Sequence, residues 1–271
     1  MSQNREDNLE LYCVTDKPLE YINNKLYKFA WVGKEKPPKD YLLCDKKINI
    51  FEKEKYYSEL TFHYWYWKNI LNIKNQNWIG FCQKRRFWSN IKVSNFDNSK
   101  DFNNKILQKP NQEWQNYQSI ICKSISLEQV KKMKMLKRNL ISLIKNPAPL
   151  FFKNKRTIKF HFDMHHGHGN LDKAIDVMDI KDREDFRYFV NTQTSFNPHI
   201  MFITKSVIMN NWFEDLFDWL FSCEKIFEFK GLKGYDTQRL YAYLAERYLS
   251  YWFKKYTKAL EWDWIFIDYK R

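Results

Sequence analysis

Three cations follow one apolar run in the first third of the chain, where they could bind a negatively charged ligand. Residues 78–82 (WIGFC) form a short apolar run typical of a buried strand, and Lys84, Arg85 and Arg86 come shortly after it. An open α/β sheet binds its ligands at the carboxyl ends of its strands. Guanidinium groups match phosphate oxygens in geometry as well as in charge. The pattern therefore predicts a site for a phosphate-bearing ligand, with a diphosphate as the best match.

A helix before this run would position the cations. Leu60, Tyr64 and Trp67 recur at the spacing of one helical face. Ser58 is suited to cap that helix, and Glu59 lies in its first turn, where a carboxylate favours the helix dipole. Residues 9–15 (LELYCVT) predict an earlier strand of the same sheet. The first part of the chain is therefore expected to combine sheet and helix.

The second half predicts more helix than sheet. The predicted helices cover residues 127–145, 171–178, 206–228 and 236–255, and the predicted strands cover 150–152, 156–162, 199–204 and 261–268. The first of these helices is basic and begins with a capping box at Ser126 and Gln129. Its cations form a solvated face or, as an alternative, a docking surface for anionic lipid. Glu246 and Arg247 are adjacent in the last helix, so we expect one side chain to point inward and the other outward.

Residues 161–170 (HFDMHHGHGN) hold four of the six histidines. Imidazole and carboxylate groups are ligands of Zn²⁺ and Mn²⁺, so a metal site is one hypothesis. The spacing matches no zinc motif, and the glycines at 167 and 169 predict a flexible loop. The alternative is that these histidines contact an acceptor or transfer a proton. Asp172 follows in the first turn of a helix that Asn170 is expected to cap.

The composition indicates a folded, basic protein. The 271 residues carry a formal net charge of +14, and aromatic residues make up 18% of them. Such a charge attracts nucleic acid, an anionic membrane surface or nucleotide phosphates, although a bias toward Lys and Asn codons also explains it. The five scattered cysteines include no CxxC pair and suggest a reducing compartment. The polar start predicts no signal peptide, and no apolar run approaches the roughly 20 residues of a membrane-spanning helix.

Two segments, at residues 58–69 and 78–88, resemble a known protein family. The sequence SELTFHYWYWKN followed by WIGFCQKRRFW is similar to the signature of bacterial capsular and exopolysaccharide biosynthesis proteins. The blocks HHGHGNLDKAI, HIMFITKSVIMNNWFEDLFDWLFSCEK and RLYAYLAERYLSYWF follow in the same order as in that family. The resemblance implies a glycosyltransferase that uses a nucleotide-sugar donor, of galactosyl or galactofuranosyl type. This sequence departs from the family pattern at Gln83 and Lys84, where the family has His-Tyr.

The resemblance also implies a fold and indicates which parts of the chain bind the donor and the acceptor. The expected fold class is α/β, with a GT-A-like mixed central sheet flanked by helices and a helix-rich C-terminal half. A single domain would span residues 1–271, with the nucleotide-sugar-binding part at 9–90 and the acceptor-side, helical part at 150–271. Thr15 and Asp16, at the end of the first strand, would then contact the base and ribose. The residues expected to bind the acceptor are His165, His166, Asn197 and Arg239.

Sugar transfer needs a stabilised leaving group and an activated acceptor hydroxyl. No Asp-x-Asp follows the strand at 78–82, so we expect Arg85 and Arg86, with Lys84 and Lys68, to bind the diphosphate in place of a metal ion. No cofactor is then required, and Mn²⁺ or Mg²⁺ is the alternative. For the general base the first candidate is Asp172. Glu59 is the second, or else it binds sugar hydroxyls.

The expected partners are a nucleotide-sugar donor, with UDP as the carrier, and a lipid-linked or oligosaccharide acceptor in surface polysaccharide synthesis. The expected location is the cytoplasm, as a peripheral protein on the inner face of the membrane. Two other classes stay open at this point. Basic charge interleaved with aromatic residues also suits a protein that binds single-stranded nucleic acid, and the histidine segment would suit a metal-dependent hydrolase.

Overall fold

The computed structural model describes residues 8–20, 22, 26–90, 102–129, 140–145 and 147–267. Within these residues the chain forms a nine-stranded sheet and a separate two-stranded ribbon. The strands are β1 Leu9–Thr15, β2 Tyr27–Trp31, β3 Leu42–Leu43, β4 Trp78–Gln83, β5 Arg86–Trp88, β6 Ser119–Cys122, β7 Ile125–Ser126, β8 Ser195–Phe196, β9 Phe202–Lys205, β10 Ala259–Trp262 and β11 Trp264–Phe266.

The sheet is mixed, with a parallel centre. Its main order is β10-β6-β9-β4-β1-β2-β3, and β5 joins β4 to β11 at one side. Strands β4, β1, β2 and β3 run parallel to one another, while β9 is antiparallel to both β4 and β6. Because β1 and β4 are adjacent and parallel, their carboxyl ends meet at the same edge of the sheet.

Both faces of the sheet are buried, which explains why its central strands β1 and β4 are mostly apolar. In β1 the side chains of Tyr12 and Val14 lie in one core, and those of Leu11 and Cys13 lie in the other. Gly80 stands in the middle of β4, where an added Cβ would lie 2.5 Å from the side chain of Ile203. A larger residue at this position would force β9 away from β4.

The helices surround the sheet and dominate the second half of the chain. They are α1 Glu54–Tyr57, α2 Leu60–Asn69, α3 Phe102–Lys105, α4 Leu140–Lys145, α5 Ala148–Phe151, α6 Ile158–His166, α7 Asn170–Asp176, α8 Ile180–Thr192, α9 Ser206–Phe227, α10 Tyr235–Gln238 and α11 Leu240–Tyr256. The predicted fold class, a mixed central sheet flanked by helices with a helix-rich C-terminal half, is confirmed. No helix within the described residues combines the length and apolarity needed to cross a membrane.

Helix α2 packs against α9 over the larger of the two cores. Trp67 stacks on Phe217 with ring centroids 5.8 Å apart, and its indole nitrogen donates a hydrogen bond to Asn210 at 2.9 Å. The expected contact of Tyr64 and Trp67 with the core is therefore present. Deeper in the same core, α2 also buries Phe62 and Tyr66, so the helix is covered on more than the one face that its spacing predicts.

Two predicted strands are helices. Residues 150–152 fall at the end of α5, and residues 156–162 lead into α6. Ile158 and Phe162 are four residues apart, a separation that suits one face of a strand and one face of a helix equally well. The hydroxyl of Thr157 decides for the helix, because it accepts a hydrogen bond from the backbone amide of Phe160 at 3.3 Å. The histidine segment is therefore helical as far as His166, and not a loop.

Smaller differences concern the helix ends. Ser58 has a φ of 54° and does not cap α2, which begins after Glu59. Asn170 is the first residue of α7, and its side chain donates to the carbonyl of His166 in the preceding helix at 2.8 Å. The strand expected at 199–204 begins only at Phe202. Most of the basic helix expected at 127–145 lies outside the described residues.

Candidate functional site

A cavity of about 240 Å³ opens where β1 and β4 end side by side. Helix α1, the turn between α1 and α2, helix α11 and the turn before β9 form its other walls. Its charged lining residues are Asp16, Glu54, Glu59, Lys84, Arg85, Arg86, Arg239 and Glu246. The cavity thus brings four cations and four carboxylates to the edge of the sheet where an α/β protein binds its ligand.

The side chain of Gln83 connects an anion and a cation across this cavity. Its amide nitrogen donates a hydrogen bond to Oε1 of Glu59, and its Oε1 accepts one from Nη1 of Arg86 at 3.2 Å. The Nε of Arg86 is buried and has no hydrogen-bond partner among the described residues. A buried donor without a partner is costly, so the guanidinium group of Arg86 would gain a hydrogen bond by turning toward an anionic ligand in the cavity.

The other two cations at the end of β4 are held in the turn to β5. Lys84 forms an ion pair with Asp16, so the ends of β1 and β4 are joined by side chains as well as by the sheet. The Nε of Arg85 donates to the carbonyl of Ile267 at 3.2 Å, and its guanidinium group lies 4.7 Å from the ring centre of Phe266. Both side chains line the cavity.

Glu246 is fixed at the far wall by two donors. Its Oε1 accepts a hydrogen bond from the backbone amide of His199 at 2.6 Å, and its Oε2 pairs with Nη1 of Arg247. Burial alone would raise the pKa of Glu246, but the charge of Arg247 and the His199 amide outweigh it, so the pKa is lowered. The carboxylate is therefore charged and held in one orientation.

The predicted separation of Glu246 and Arg247 is wrong. The guanidinium group of Arg247 is buried between aromatic rings, 4.0 Å from the ring centre of Phe196 and 5.8 Å from that of Phe162. A buried charge needs a partner, and the adjacent carboxylate supplies it because both side chains turn toward the same interior. Spacing on an exposed helix surface does not describe this pair, since Arg247 is buried and Glu246 is exposed only toward the cavity.

His199 is a further cavity residue with a buried nitrogen that lacks a partner in the described part of the chain. Its φ of 69° turns the chain so that its amide points at Glu246, and its Nε2 is buried with no hydrogen-bond partner among the described residues. Burial, and then the nearby charge of Arg86, lower its pKa to about 3. The imidazole is therefore neutral at physiological pH, and able to donate to or accept from a ligand.

Glu54 is the carboxylate of the cavity whose environment favours the protonated form. Burial raises its pKa, the neighbouring carboxylates Asp16 and Glu59 raise it further, and the charges of Arg239 and Lys34 oppose them without cancelling the shift. The carboxylate of Glu54 accepts no hydrogen bond from the part of the chain that the structure describes. A half-buried carboxyl group with a raised pKa is a better proton acceptor than an ordinary carboxylate.

The structure brings together seven of the residues that the sequence singled out. Those that line the cavity are Thr15, Asp16, Glu59, Lys84, Arg85, Arg86 and Arg239. The hydroxyl of Thr15 is used within its own turn, where it donates to the carbonyl of Lys17 at 2.6 Å. The other six are two carboxylates and four cations, and cations are what we expect to bind the diphosphate of a donor.

The other five predicted site residues do not line the cavity, and Lys68 and Asp172 are two of them. Lys68 lies at the end of α2 with its Nζ 3.2 Å from the ring centre of Trp67. Asp172 forms an ion pair with Lys159 at 2.7 Å on the outer side of α6 and α7. Nothing in this arrangement brings the Asp172 carboxylate to the cationic end of β4.

Asn197 is a structural residue of the interior. It is fully buried, and its side-chain amide donates to the carbonyl of Cys122 at 2.7 Å and to Glu261 at 2.9 Å. Its Oδ1 accepts a hydrogen bond from Ser250 at 2.7 Å. All of its polar atoms are therefore occupied by the protein, which leaves none to bind an acceptor.

The two adjacent histidines lie in a layer behind the cavity wall. His166 stacks on Tyr243, a residue of the lining, with ring centroids 3.7 Å apart, and its Nδ1 is 2.8 Å from the carbonyl oxygen of Asp236. Burial and the charge of Arg247 lower its pKa to about 3. The Nδ1 of His165 is 3.0 Å from the carbonyl of His161. The described residues contain no group of three or more His, Cys, Asp or Glu side chains arranged to hold a metal ion.

Sequence reasoning missed Glu54, His199 and Glu246 as site residues. Glu54 is the first residue of the short helix α1, and no sequence motif around it indicates a site. The positive φ of His199 depends on the packing around it and has no local signal. Glu246 was noticed only as a neighbour of Arg247, although a charged residue in a segment of apolar residues (LAERYLSYWF) is itself a signal for a buried, partnered group.

Comparisons with known proteins agree with the architecture. The chain is similar to the apo structure of the bifunctional glycosyltransferase WbbM, with a TM-score of 0.63 and 18% sequence identity over 96% of this chain. The match covers 45% of the WbbM chain, so this chain spans less than half the length of that protein. No curated protein matches the chain. A family model matches residues 10–258, and the chain therefore belongs to the family described as a domain of unknown function, DUF4422.

Proposed function

We propose that this chain is a glycosyltransferase and that the cavity at the ends of β1 and β4 binds a nucleotide-diphosphate sugar. One observation carries the proposal: Arg86 lines the cavity, its buried Nε has no hydrogen-bond partner in the described part of the chain, and Gln83 links its guanidinium group to the carboxylate of Glu59. An anion-binding donor thus lies beside acidic groups that can bind sugar hydroxyls or accept a proton. The likeness of the fold to a glycosyltransferase structure supports the same reading.

The diphosphate would bind to the cations at the end of β4. When the bond from the anomeric carbon to the phosphate oxygen breaks, the electron pair leaves with the diphosphate, and the new negative charge must be stabilised. The positive charges of Arg86 and Arg85 would stabilise it, with Lys84 and Arg239 around them. The base and ribose would then extend toward Asp16 at the end of β1.

Glu54 is the best candidate for the general base in this cavity. In an inverting transfer the base takes the proton of the acceptor hydroxyl as its oxygen attacks the anomeric carbon. The raised pKa of Glu54 suits that role, and Glu54 takes it in preference to Asp172, which is paired with Lys159 outside the cavity. Glu59, held by Gln83, would bind a sugar hydroxyl.

The finer assignments rest on the resemblance of the sequence to polysaccharide biosynthesis proteins. They are a UDP-linked hexose of galactose type as the donor and a lipid-linked or oligosaccharide acceptor of a surface glycan. The cavity draws on both parts of the proposed single domain, because its lining combines residues of 9–90 with residues of α11 and the turn before β9. Donor and acceptor would thus meet between these parts.

A panel of nucleotide sugars tests the proposal. UDP-, GDP-, dTDP- and CMP-linked sugars are compared by thermal shift and by hydrolysis of the donor, each with and without EDTA. The expected result is stabilisation and slow hydrolysis with one class of diphosphate sugar, with hydrolysis retained in EDTA. If no nucleotide sugar stabilises the protein and single-stranded oligonucleotides bind with a steep salt dependence, the chain is a nucleic-acid-binding protein instead.

A further inference from the structure

A second functional surface lies on α4, α5 and the turn that follows them. Three large apolar side chains are strongly exposed there: Ile144 at 74%, Phe151 at 71% and Phe152 at 60%. Exposed lysines flank them at positions 145, 153 and 155. We call these six residues the Phe-Lys face. Large apolar side chains exposed beside one another mark an interaction site rather than ordinary surface.

The Phe-Lys face is presented by a packed support. Leu143 of α4 is buried against Met164 of α6, with Leu150 of α5 beside them. The buried guanidinium group of Arg156 donates to the carbonyls of Pro149, at 3.0 Å, and Glu128. These contacts hold α4 and α5 in place while the neighbouring residues Ile144 and Phe151 point into solvent. The exposure of the apolar side chains is therefore a property of the folded chain.

The chain segment that forms the face carries charge of one sign. The sequence contains no Asp or Glu between Glu128 and Asp163. The cations of the face are not neutralised by carboxylates of the same elements, and the Lys145 Nζ lies 3.3 Å from the Nε2 of His168. A partner that covers this face must therefore combine an apolar interior with an anionic surface.

We propose that the Phe-Lys face binds an anionic lipid bilayer. Exposed aromatic and aliphatic side chains insert at the boundary between headgroups and acyl chains, and lysines around them contact the anionic headgroups. A nucleic acid would use the lysines but offers nothing to Ile144, which has no aromatic ring to stack on a base. A bilayer accounts for both kinds of residue.

The position of the face gives the binding a consequence for the cavity. Helix α6, which supports α4, ends at His166, and His166 stacks on the cavity residue Tyr243. The cavity and the Phe-Lys face are thus connected through one helix. Docking on a bilayer would hold the cavity near the membrane surface, where a lipid-linked substrate is present. The docking itself does not depend on the proposed activity.

Vesicle flotation with the full chain tests the proposal. We expect wild-type protein to float with phosphatidylglycerol vesicles and to remain behind with phosphatidylcholine vesicles. Lys153→Ala and Lys155→Ala should each weaken binding about fivefold, since each lysine near an anionic surface contributes a similar electrostatic term. The double variant Phe151→Ser/Phe152→Ser should weaken it by at least as much as the two lysine variants together.

The matched control is a pair of exposed apolar residues elsewhere. Ile180 and Tyr188 on α8 are 81% and 71% exposed, so Ile180→Ser/Tyr188→Ser removes similar surface and should leave flotation unchanged. Thermal melts check that each variant is folded. Absence of flotation with phosphatidylglycerol, or an equal loss in the control, overturns the proposal. So does a wild-type dimer in light scattering that Phe151→Ser/Phe152→Ser dissociates, because a second copy would then be the occupant of the face.

Discussion

Arg86 donates a hydrogen bond to the side chain of Gln83 at 3.2 Å and not directly to a carboxylate. The amide of Gln83 in turn donates to Glu59, so Gln83 lies between the guanidinium group and this carboxylate. A direct ion pair would use the donors of Arg86 for structure alone. With Gln83 between them, both side chains are held in place, and the Nε of Arg86 has no hydrogen-bond partner among the described residues.

Replacing Glu54 by Gln tests the assignment of the general base. We expect kcat to fall by about a hundredfold or more, with KM for the donor nearly unchanged, because the variant cannot accept a proton. Asp172→Asn is the matched control, and its kcat should stay close to wild type. A loss in Asp172→Asn as large as that in Glu54→Gln would return the role of base to Asp172.

The pH profile gives the Glu54 experiment a second readout. The base must be ionised, and the pKa of Glu54 is raised, so activity should fall as the pH drops through that raised value. In Glu54→Gln this acidic limb should disappear from the profile of the residual activity. If the activity of the variant still falls at the same acidic pH as that of wild type, a group other than Glu54 causes this fall.

Asn197→Ala should destabilise the protein without a selective effect on catalysis. The change removes the side-chain amide that bonds the hydroxyl of Ser250, the carbonyl of Cys122 and the carboxylate of Glu261 in the interior. We expect the free energy of unfolding to drop by about 2–3 kcal/mol, as measured in urea. The KM for the acceptor, measured on folded protein, should not change. A raised KM at unchanged stability would restore Asn197 as an acceptor-binding residue.

Glu261 should make the protein sensitive to acid. Burial raises its pKa, but the amide of Ser124, the side chain of Asn197 and the charge of Lys254 outweigh it and lower the pKa to about 2 from an ordinary 4.5. A lowered pKa means stability that is fully present above pH 4.5 and lost as the pH falls toward about 2. Glu261→Gln should be less stable than wild type at pH 7. Its free energy of unfolding should also change less with pH below 4.5. If the free energy of unfolding depends on pH in the same way in wild type and variant, Glu261 is not the group that causes the sensitivity to acid.

Gly80→Ala should be strongly destabilising. The new methyl group would lie 2.5 Å from the side chain of Ile203 and 2.8 Å from that of Leu11, on the neighbouring strands. Overpacking of this kind costs about 1–3 kcal/mol. Gly231→Ala is the control, because an added Cβ there meets no atom within 4 Å. Equal melting temperatures of the two variants would mean that β4 and β9 can move apart without cost.

The elements that the sequence predicted well are those with long or continuous apolar patterns. The bounds of β1, Leu9–Thr15, agree with the prediction, and α9, Ser206–Phe227, ends one residue from its predicted end. Both are buried along most of their length, so the apolar residues report the element directly. Residues 156–162 failed because Ile158 and Phe162 fit two periods, and a single hydroxyl at Thr157 decided between them.

The site was predicted where charge clusters in the sequence and missed where folding assembles it. Lys84, Arg85 and Arg86 are consecutive, and a strand end delivers all three to one cavity. Glu54, His199 and Glu246 come from distant segments, and their meeting depends on the packing of α1 and α11 around the sheet edge. Asp172 looked suitable by position alone, since its ion pair with Lys159 has no signature in the sequence.

Titration calorimetry with a nucleoside diphosphate tests the central claim most directly. We expect UDP to bind wild-type protein in one saturable event, and Arg86→Ala to weaken that binding by about tenfold or more, because a charged hydrogen-bond donor is lost. Arg187→Ala removes a surface arginine that pairs with Asp176 and should bind as wild type does. If UDP, GDP and ADP all fail to bind wild-type protein, or bind Arg86→Ala equally tightly, the cavity at the ends of β1 and β4 is not a donor site.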